Sequence, residues 1–413
     1  MRILHFMNIP LSPDQLRSGG SGIKSSGGWM AVLLGRMLEN TDFKFACAAF
    51  GDTRELQASH DDRIDCFVIP KGWSDTSAAF GAGLRACRDL VNEWKPDLIH
   101  IHGTEGAYGL LTAHCLVKGP AVISLQGLLG PYAEWYQYFG NRSLMDIFRM
   151  HRWLEIPALR GQCMEFMHFR KKAKREREII TGNRFFMGRT EWDRAYLSAH
   201  NPSAHYYHGG ELLREAYWEA QWNIARVKRH QIIFTNAGHP RKGAELLLDA
   251  VKLLQPNYPD IQVGIAGSIS HRSGYGRYIR RRISEMGHAA IELGPLNSEE
   301  MVEVLVASHV FVSPSFIDNS PNAVCEAQLL GMPVISTYTG GVPSLIEDGR
   351  TGLFFPTGDA PMLASKLRDV FENDELSVQL GNQARSVALQ RHDPILVVSE
   401  ILNAYEDVMR NAT

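Results

Sequence analysis

Several patterns that mark common classes of protein are absent from this sequence of 413 residues. Its six cysteines are scattered without any C-x-x-C pair, which argues against a disulfide framework or a structural zinc site and fits thiols in a reducing compartment. No apolar run reaches the length of about 18 residues that a membrane-spanning helix needs. The formal net charge is -2, so no overall positive field favours nucleic acid as a partner.

Two nucleotide-binding fingerprints are also missing. The glycine-rich stretch SGGSGIKSSGGWMAVL has P-loop spacing from Gly22 to Gly27, but Gly28 stands where a Walker A loop requires lysine. The stretch has no G-x-G-x-x-G dinucleotide motif either. The first residues, MRILHFMNIP, enter a strand pattern at once and lack the apolar core of a signal peptide, so we expect a cytoplasmic protein.

The chain does contain a regular alternation of strand-like and helical segments. RILHFM is followed by WMAVLLGRMLEN, and QIIFTNAG is followed by GAELLLDAVKLL. This rhythm indicates parallel sheets covered by helices, and the length favours two domains. We therefore predict an α/β protein with two Rossmann-like, doubly wound domains facing a central cleft. The predicted domains are 1–212 and 213–395, followed by a tail helix over 396–413 that packs back on the first domain.

Two carboxylates follow the strand-like segment VFVSPSF, where a parallel sheet would bind its ligand. Asp318 falls in the loop, and Ser320-Pro321-Asn322 is a helix-entry signature whose backbone amides favour anions. Glu326 comes about one turn later, where its carboxylate could accept hydroxyl groups of a sugar or ribose. Gly340-Gly341 follows the next strand, so its amides could approach a ligand. In the structural alternative, Glu326 complements the helix dipole and Asp318 caps a turn.

The sequence around these carboxylates resembles a known family. The pattern is similar to the donor-binding half of family 4 retaining glycosyltransferases of the bacterial polysaccharide and glycolipid type. It consists of an acid, seven residues and Glu-Ala, followed by G-x-P-V-I, Gly-Gly, and D-G-x-T-G with a later Asp. These enzymes have the GT-B architecture. The resemblance extends over about 230–395 and is weaker in the first domain. It implies retaining transfer of a sugar from a UDP- or GDP-sugar to a glycan or lipid-linked acceptor, with no metal or other cofactor.

The resemblance also assigns roles to residues of the second domain. Glu326 would hold the ribose hydroxyls, Asp318 (usually Glu in the family) would contact the transferred sugar, and Lys242 would contact the diphosphate. The other donor-binding positions that it implies are Gly27, Gly28, Arg241, Asn319, Ser320, Pro321, Asn322, Ala323 and Val324. The family's arginine several residues before the lysine is missing, since Asn236-Ala237 stands there. In the alternative interpretation, Arg241 and Lys242 form a solvated turn capped by Gly243.

Two residues of the first domain complete the predicted site. His102 ends the strand-like segment LIHIH and matches the family's active-site histidine, which hydrogen-bonds the donor sugar. His100 lies on the same face by the period of two, so a metal pair is an alternative. No third ligand is evident in the sequence, however, and His100 fits a core position. Arg189 follows the segment FFMG and could contact phosphate or the acceptor.

The alternation breaks between about 130 and 180. This segment contains the aromatic stretch GLLGPYAEWYQYFGN, which would suit an acceptor pocket, and six of the eight residues from Arg170 to Arg177 are basic. The basic run is either a solvated helix face or a patch that contacts anionic lipid head groups or a lipid diphosphate. The favoured interpretation is peripheral contact with the inner face of a membrane.

The predicted chemistry needs positive charge beside the leaving diphosphate. Lys242 and main-chain amides could supply it, and no D-x-D cluster follows a strand, so a metal-independent transfer is expected. No carboxylate is evident as a nucleophile, and the resemblance then implies a front-face route with the donor phosphate as base. The alternatives are an epimerase or phosphorylase of the same architecture, an inactive nucleotide-sugar- or glycan-binding module and, more distantly, a dehydrogenase.

Overall fold

The computed structural model describes residues 1–18, 28–71, 81–140, 142–143, 145, 147 and 161–412. Its contacts divide the chain into two units. The first unit comprises Met1–Gly130, Lys171–Arg214 and His392–Thr413, and the second comprises Pro131–Arg170 and Glu215–Arg391. Residues 131–170 were predicted to belong to the first domain but group with the second unit.

The described strands of the first unit form one eight-stranded sheet. They are β1 (Arg2–Met7), β2 (Lys44–Gly51), β3 (Gln57–His60), β4 (Ile64–Pro70), β5 (Leu98–His102), β6 (Ala121–Ser124), β7 (Phe185–Gly188) and β8 (His205–His208). Their order is β3-β4-β2-β1-β5-β6-β7-β8, and all pair in parallel except β3, which is antiparallel to β4. The sequence did not predict β3, because all of its residues are exposed and it has no apolar alternation.

The described strands of the second unit form a six-stranded parallel sheet. They are β9 (Lys228–Thr235), β10 (Gln262–Ala266), β11 (Ala290–Gly294), β12 (Ser308–Ser313), β13 (Val334–Thr337) and β14 (Leu353–Phe355). Their order is β11-β10-β9-β12-β13-β14, which is the doubly wound order 3-2-1-4-5-6 when counted from β9. The winding reverses between β9 and β12, and ligands of such sheets bind at this switch point. The two mainly parallel sheets therefore confirm the predicted α/β class with two Rossmann-like units.

Helices cover these sheets. In chain order, those described are α1 (Pro13–Arg17), α2 (Gly28–Asn40), α3 (Ala82–Trp94), α4 (Leu110–Ala113), α5 (Leu129–Tyr132), α6 (Trp135–Phe139), α7 (Gln162–Gly182), α8 (Glu191–His200), α9 (Ala216–Glu219), α10 (Ala244–Leu254), α11 (Gly274–Glu285), α12 (Ser298–Ala307), α13 (Asn322–Leu330), α14 (Ala360–Glu372), α15 (Asp374–Arg391) and α16 (Pro394–Asn411). Among the described residues, none of these helices is both long and apolar enough to cross a lipid bilayer.

Both faces of the first sheet are buried at β1, in the middle of the sheet. Ile3 and Met7 of β1 point to a face that packs against residues of α2 and α16, whereas Leu4 and Phe6 point to the face covered by α3. This division follows from the period of two along a strand. The C-terminal helix α16 is part of the first unit's core, and its Tyr405 is fully buried there.

Aromatic contacts explain why the segment 131–170 groups with the second unit. The ring of Tyr138 meets that of His239 at a centroid distance of 4.7 Å, and Tyr136 meets Phe316 at 5.3 Å. Tyr138 also belongs to a small buried cluster with Phe139 and its neighbours. Burial of large rings is a main source of packing energy, but the sequence does not show which unit an aromatic segment packs on.

Candidate functional site

Two loops meet at the switch point of the second sheet. One follows β9 and forms a 3₁₀ turn at Pro240–Lys242; the other follows β12 and runs through residues 314–321 to α13. We call the second loop the acid loop, since it carries Asp318. β9 and β12 are neighbours in the sheet, and Phe316 N donates a hydrogen bond to Arg241 O at 2.7 Å. The two loops are therefore fixed to each other.

Lys242 and Asp318 form an ion pair at this point. Lys242 Nζ lies 2.5 Å from Asp318 Oδ2, and Ser315 Oγ donates to the same oxygen at 3.3 Å. The lysine and aspartate side chains are 18% and 13% exposed, so the pair is shielded but still accessible. An ammonium group has three N–H donors, so Lys242 can hold Asp318 and offer the others to an anion. The structure thus brings together two of the predicted catalytic residues.

Threonines of the neighbouring strand and loop hold the acid loop in place. Thr337 Oγ1 donates to Ser315 O at 2.5 Å, and Thr339 Oγ1 donates to Phe316 O at 2.9 Å. Both bonds satisfy carbonyl groups that would otherwise lose hydrogen bonds on burial. The side chain of Asp318 is therefore presented by a loop with little freedom to rearrange.

Two glycines permit this close packing. Gly340 has a φ of +51°, and a Cβ atom there would lie 2.0 Å from Asp318 O; Gly243 has a φ of +74°, and a Cβ atom would lie 2.0 Å from Pro314 O. Any other residue would be strained and would displace the acid loop. Gly341 N donates to Asp318 O at 3.0 Å. The prediction that this amide is open to a ligand is therefore wrong, because it holds the loop.

The start of α13 supplies main-chain N–H groups. Its N-cap is Pro321, whose side chain makes no capping hydrogen bond. The amides of Asn322 and Ala323 therefore lie at an uncapped, positively polarised helix end, which favours an anion. The residues from Ser320 to Ala323 are partly exposed, whereas Val324 is buried. The predicted anion-binding segment thus has an accessible first turn and a packed remainder.

Three polar residues next to this helix end are nearly buried. Counted over the whole residue rather than the side chain alone, Asp318 is 9% exposed, Asn319 is 1% exposed and Glu326, one turn into α13, is 8% exposed. Carboxylates are seldom buried without a partner, because desolvation penalises the charged form. Their concentration at the carboxyl edge of an otherwise apolar sheet is a feature of a binding site rather than of a packing surface.

Arg241 contributes to this region mainly through its backbone. Its N–H donates to His239 Nδ1 at 3.2 Å, while its guanidinium Cζ lies 5.3 Å from the ring centroid of Tyr132. Burial, together with the adjacent Arg241 and Lys242, lowers the pKa of His239 to about 2, so its ring is neutral and accepts the amide proton. A contact between the Arg241 side chain and diphosphate stays a prediction.

His102 and Arg189 come together in the first unit. Both line a small cavity of about 10 Å³, with Trp29 as a neighbour. Arg189 Cζ lies 4.5 Å from the ring centroid of Trp29, and its Nη1 lies 2.8 Å from Glu211 Oε2. Because the guanidinium already stacks and pairs, it is held in one orientation at the cavity wall.

The structure describes one of the two glycines that were predicted to contact the diphosphate. Gly28 is buried and is the first residue of α2, directly before Trp29 of the cavity. Its amide is thus at a helix start, as a phosphate-binding role would require. Gly27, with the rest of the glycine-rich stretch from 19 to 27, lies outside the described residues.

A third histidine, which the sequence analysis missed, joins His100 and His102. His5 on β1 pairs in register with His100 on β5, and the ring nitrogens of the three lie within 4.8 Å of one another. All three side chains are 1% exposed or less. Burial lowers the pKa of His5 to about 3 and holds the pKa values of His100 and His102 well below the usual value, so the rings are neutral at pH 7. The sequence held one sign of this cluster: His5 is a polar residue between Ile3 and Met7 on the inward-facing side of the segment RILHFM.

Polar side chains also follow three neighbouring strands of the first sheet. Asn8 follows β1, Glu105 follows β5 and Gln126 follows β6. Asn8 Nδ2 lies 3.5 Å from both Glu105 Oε2 and Gln126 Oε1, and Gly127 N donates to Glu105 Oε1 at 3.2 Å. These three residues were not predicted as site residues, although each follows a strand at the edge where parallel sheets bind ligands.

One carboxylate lies buried beneath the loop that follows His102. Glu176 of α7 is fully buried; its Oε1 accepts the hydroxyl of Thr104 at 2.6 Å, and its Oε2 accepts Gly130 N at 2.8 Å. Burial raises the pKa of Glu176 to about 7. Although it lies within the basic run of the sequence, this residue points inward and supports the loop.

The remaining part of the basic run is on the surface of α7. Exposed basic residues are Arg170, Lys171, Lys172, Lys174 and Arg177. One to two turns earlier, Met164 and Met167 are 39% and 54% exposed. Residues three and four apart share a helix face, so the two methionines align with Lys171 and Lys174.

The second unit matches a known family. Residues 218–387 fit the family model described as glycosyl transferases group 1. The D-inositol 3-phosphate glycosyltransferase of Arthrobacter sp. (strain FB24) is 26% identical over 320 residues, which cover 72% of this chain and 72% of the relative.

Solved structures share the fold of the whole chain. Sucrose-phosphate synthase from Thermosynechococcus elongatus aligns over 99% of both chains with a TM-score of 0.73 and 15% identity. HepE from Anabaena, solved in complex with UDP-glucose, aligns over 98% of this chain and 100% of its own with a TM-score of 0.69 and 13% identity. At such identities the likeness concerns the fold. Taken together, these matches support a GT-B glycosyltransferase, and residues 218–387 match the model of the group 1 glycosyl transferases.

Proposed function

We propose that this chain is a retaining, family 4-type glycosyltransferase that moves a sugar from a UDP- or GDP-sugar to a hydroxyl group of a glycan or lipid-linked acceptor. The observation that carries the proposal is the Lys242–Asp318 ion pair beside the uncapped start of α13. Glu326 is nearly buried in the same helix. An ammonium group, main-chain N–H groups and carboxylates are the groups that bind a diphosphate and a polyhydroxylated sugar. The UDP-glucose complex of HepE supports a UDP-sugar as the donor class.

In the proposed reaction, the bond between sugar C1 and the diphosphate oxygen breaks as an acceptor oxygen bonds to the same face of C1. Lys242 Nζ and the amides of Asn322 and Ala323 offset the negative charge that grows on the diphosphate. The acceptor's proton passes to the departing phosphate oxygen, which gives a glycoside and a nucleoside diphosphate. The carbon passes through an oxocarbenium-like state. No step of this proposal uses a divalent metal.

The other predicted residues position the substrates. Asp318 and His102 would hydrogen-bond the hydroxyl groups of the transferred sugar, and Glu326 would accept those of the ribose. Gly27, Gly28 and the guanidinium of Arg241 would meet the diphosphate. Segment 319–324 would surround the sugar-phosphate linkage, and Arg189 would contact phosphate or acceptor.

A thermal-shift panel of nucleotide sugars tests donor binding. With EDTA present, we expect one nucleoside diphosphate series, UDP- or GDP-linked, to raise the melting temperature of the protein, because the proposed contacts come from the chain alone. Each nucleotide sugar is compared with its free sugar and with the matching nucleoside. If no nucleotide sugar shifts the melting temperature beyond these controls, the proposed function is wrong.

Product analysis then separates the enzyme classes. The active donor is incubated alone, with inorganic phosphate, and with a panel of glycan and lipid-linked acceptors. A transferase forms a glycoside only with acceptor, and NMR of the anomeric proton shows the donor's configuration. An epimerase changes the donor alone, a phosphorylase requires phosphate, and an inactive binding module gives no product at all; each of the last three outcomes contradicts the proposal.

We further propose that the exposed face of α7 contacts anionic lipid at the cytoplasmic side of a membrane. Met164 and Met167 would enter the lipid interface, while Lys171 and Lys174 on the same face meet the head groups. Each cation near such a surface contributes about 1 kcal/mol. A solvated helix face explains the lysines but not the two exposed methionines beside them.

Vesicle co-sedimentation tests this contact. The protein should bind vesicles that contain phosphatidylglycerol and not vesicles of phosphatidylcholine alone. The double variant Met164→Ser/Met167→Ser and the double variant Lys171→Gln/Lys174→Gln should each lose most of the binding. A control changes Arg281 and Lys252, which are exposed in the second unit, to Gln. Equal loss in this control, or no loss in either α7 variant, would contradict the membrane contact.

A further inference from the structure

Three histidines lie on a largely apolar face of the first sheet. His5, His100 and His102 lie on the face whose other inward residues include Ile3, Met7 and Leu98, because their positions follow the period of two. A strand that served only for packing would carry aliphatic residues at these positions. Burying a polar ring without a hydrogen bond costs free energy, so each ring requires a partner or a purpose.

The hydrogen bonds divide the three rings into two groups. His100 is satisfied by structural partners, since its Nδ1 lies 2.6 Å from Tyr405 Oη and its Nε2 lies 2.7 Å from Ser124 Oγ. His5 bonds instead to His102, with 3.0 Å between His5 Nδ1 and His102 Nε2. Their rings are also stacked, at a centroid distance of 5.3 Å.

The bond to His5 leaves one nitrogen of His102 for a ligand. Within the described part of the chain, His102 Nδ1 has no hydrogen-bond partner although it is buried, and the ring lines the cavity with Trp29 and Arg189. Two neutral rings can share only one proton between Nδ1 of His5 and Nε2 of His102. The bond therefore couples the two rings: His102 Nδ1 is a donor if His5 supplies the shared proton, and it is an acceptor if His102 supplies it.

We propose that His5 is a positioning residue that fixes the ring orientation and a single neutral tautomer of His102, so that His102 Nδ1 presents one defined hydrogen-bonding group to the donor sugar. The part that concerns the sugar rests on the proposed function; the part that concerns the tautomer does not. A metal bound by the three rings is the competing use of this cluster. It is disfavoured because Tyr405 and Ser124 already occupy both nitrogens of His100, which leaves two rings rather than three ligands.

The tautomer is measured by NMR on the full-length protein labelled with ¹⁵N-histidine. Long-range ¹H–¹⁵N spectra distinguish protonated from unprotonated ring nitrogens, and the variant His102→Asn assigns the signals of His102. We expect one protonated and one unprotonated nitrogen for His102, unchanged from pH 6 to pH 8. His5→Leu should give a tautomer mixture or a titrating ring, and His5→Asn, which keeps a hydrogen-bonding group near the Nδ1 position, should restore the single tautomer.

A matched control separates positioning from general damage to the cluster. Tyr405→Phe removes a hydroxyl that bonds His100 and keeps the packing of the fully buried ring. It should leave the His102 signals as in the unchanged protein. If Tyr405→Phe alters them as much as His5→Leu does, or if His5→Leu leaves them unaltered, the proposal is overturned. EDTA-reversible binding of one Zn²⁺ that His5→Leu and His100→Leu both abolish would also overturn it, in favour of a metal site.

Ligand binding tests the consequence for the sugar. His5→Leu should weaken binding of the active nucleotide sugar about tenfold, the usual effect of losing one hydrogen bond, while binding of the matching nucleoside diphosphate changes less than twofold. Equal weakening of both ligands would contradict the positioning role. If the unchanged protein binds no nucleotide sugar at all, the proposed function fails, and the NMR experiment still decides whether His5 sets the tautomer of His102.

Discussion

Glu176 gives a quantitative prediction about stability and pH. Its carboxyl group is fully buried, and burial is the main reason why its pKa rises from 4.5 to about 7. The nearby Glu105 adds to the rise, while hydrogen bonds from Thr104 and Gly130 oppose it. An acid with a raised pKa holds its proton longer in the folded state than in the unfolded state. Its favourable contribution is therefore complete below the unfolded pKa and is lost as the pH rises through the folded value.

The size of the effect follows from the two pKa values. Each pKa unit corresponds to about 1.4 kcal/mol, so ionisation of Glu176 should cost about 3 kcal/mol of folding free energy, most of it between pH 5 and pH 8. Glu176→Gln keeps the shape of the side chain but cannot ionise, so this variant should lack that part of the pH dependence. The assay is urea unfolding of both proteins at pH 5, 6, 7 and 8, read as the difference in unfolding free energy.

Glu178 of the same helix provides a matched control. Glu178→Gln makes the same charge change two residues along the same helix, where the side chain is 60% exposed, and should leave the pH dependence as it is. We expect the stability of Glu176→Gln relative to the unchanged protein to increase with pH over this range. A difference that stays constant from pH 5 to pH 8 would refute the assignment of a buried, late-titrating acid.

Two further predictions concern the acid loop. Lys242→Ala should weaken binding of the nucleoside diphosphate by tenfold or more, since a charge-assisted hydrogen bond contributes about 1.5–3 kcal/mol. The control Lys252→Ala, on the exposed face of α10, should have no effect. Isothermal titration calorimetry measures both dissociation constants. Gly340→Ala should destabilise the protein by more than the ~1–2 kcal/mol that a non-glycine residue costs in the left-handed conformation, because its Cβ would also clash with Asp318 O. In the control Gly349→Ala, the Cβ would meet nothing within 4 Å, so only the cost of the left-handed conformation should remain. Thermal melting of both variants measures the difference. Equal effects within either pair would contradict the contacts described.

The sequence predicted the parts of the structure that local patterns encode. Alternating segments such as RILHFM and WMAVLLGRMLEN became β1 and α2, and polar residues after strands became the edge that carries Lys242 and Asp318. Both residues could be named because each follows an apolar run, Ile232–Phe234 in β9 and Val310–Val312 in β12, and because the segment around Asp318 resembles a known family. Their direct ion pair could not be predicted, since 76 residues separate them and only the strand order makes β9 and β12 neighbours.

What the sequence did not predict depends on contacts between distant segments. His5 was read as an ordinary residue of the first strand, because its meaning comes from its register with His100 and its bond to His102. Gly341 was expected to offer its amide to a ligand, but Asp318 O takes that amide. Tyr136 and Tyr138 gave no sign in the sequence that they pack on the second unit, because hydrophobic burial has no direction along the chain.

In the proposed function, the second unit holds the ribose and diphosphate of an activated sugar, with Glu326 on the ribose hydroxyls. The test measures the dissociation constants of two ligands in the presence of EDTA: UDP or GDP, whichever binds, and the 2′,3′-dideoxy analogue of that nucleotide. Each ligand is titrated into the unchanged protein, into Glu326→Ala and into the control Glu303→Ala, whose residue is exposed. We predict that Glu326→Ala weakens binding of the ribonucleotide at least tenfold and does not change binding of the dideoxy analogue. Glu303→Ala should bind both nucleotides as the unchanged protein does. Undiminished binding of the ribonucleotide to Glu326→Ala, or equal weakening of both nucleotides, would contradict the account.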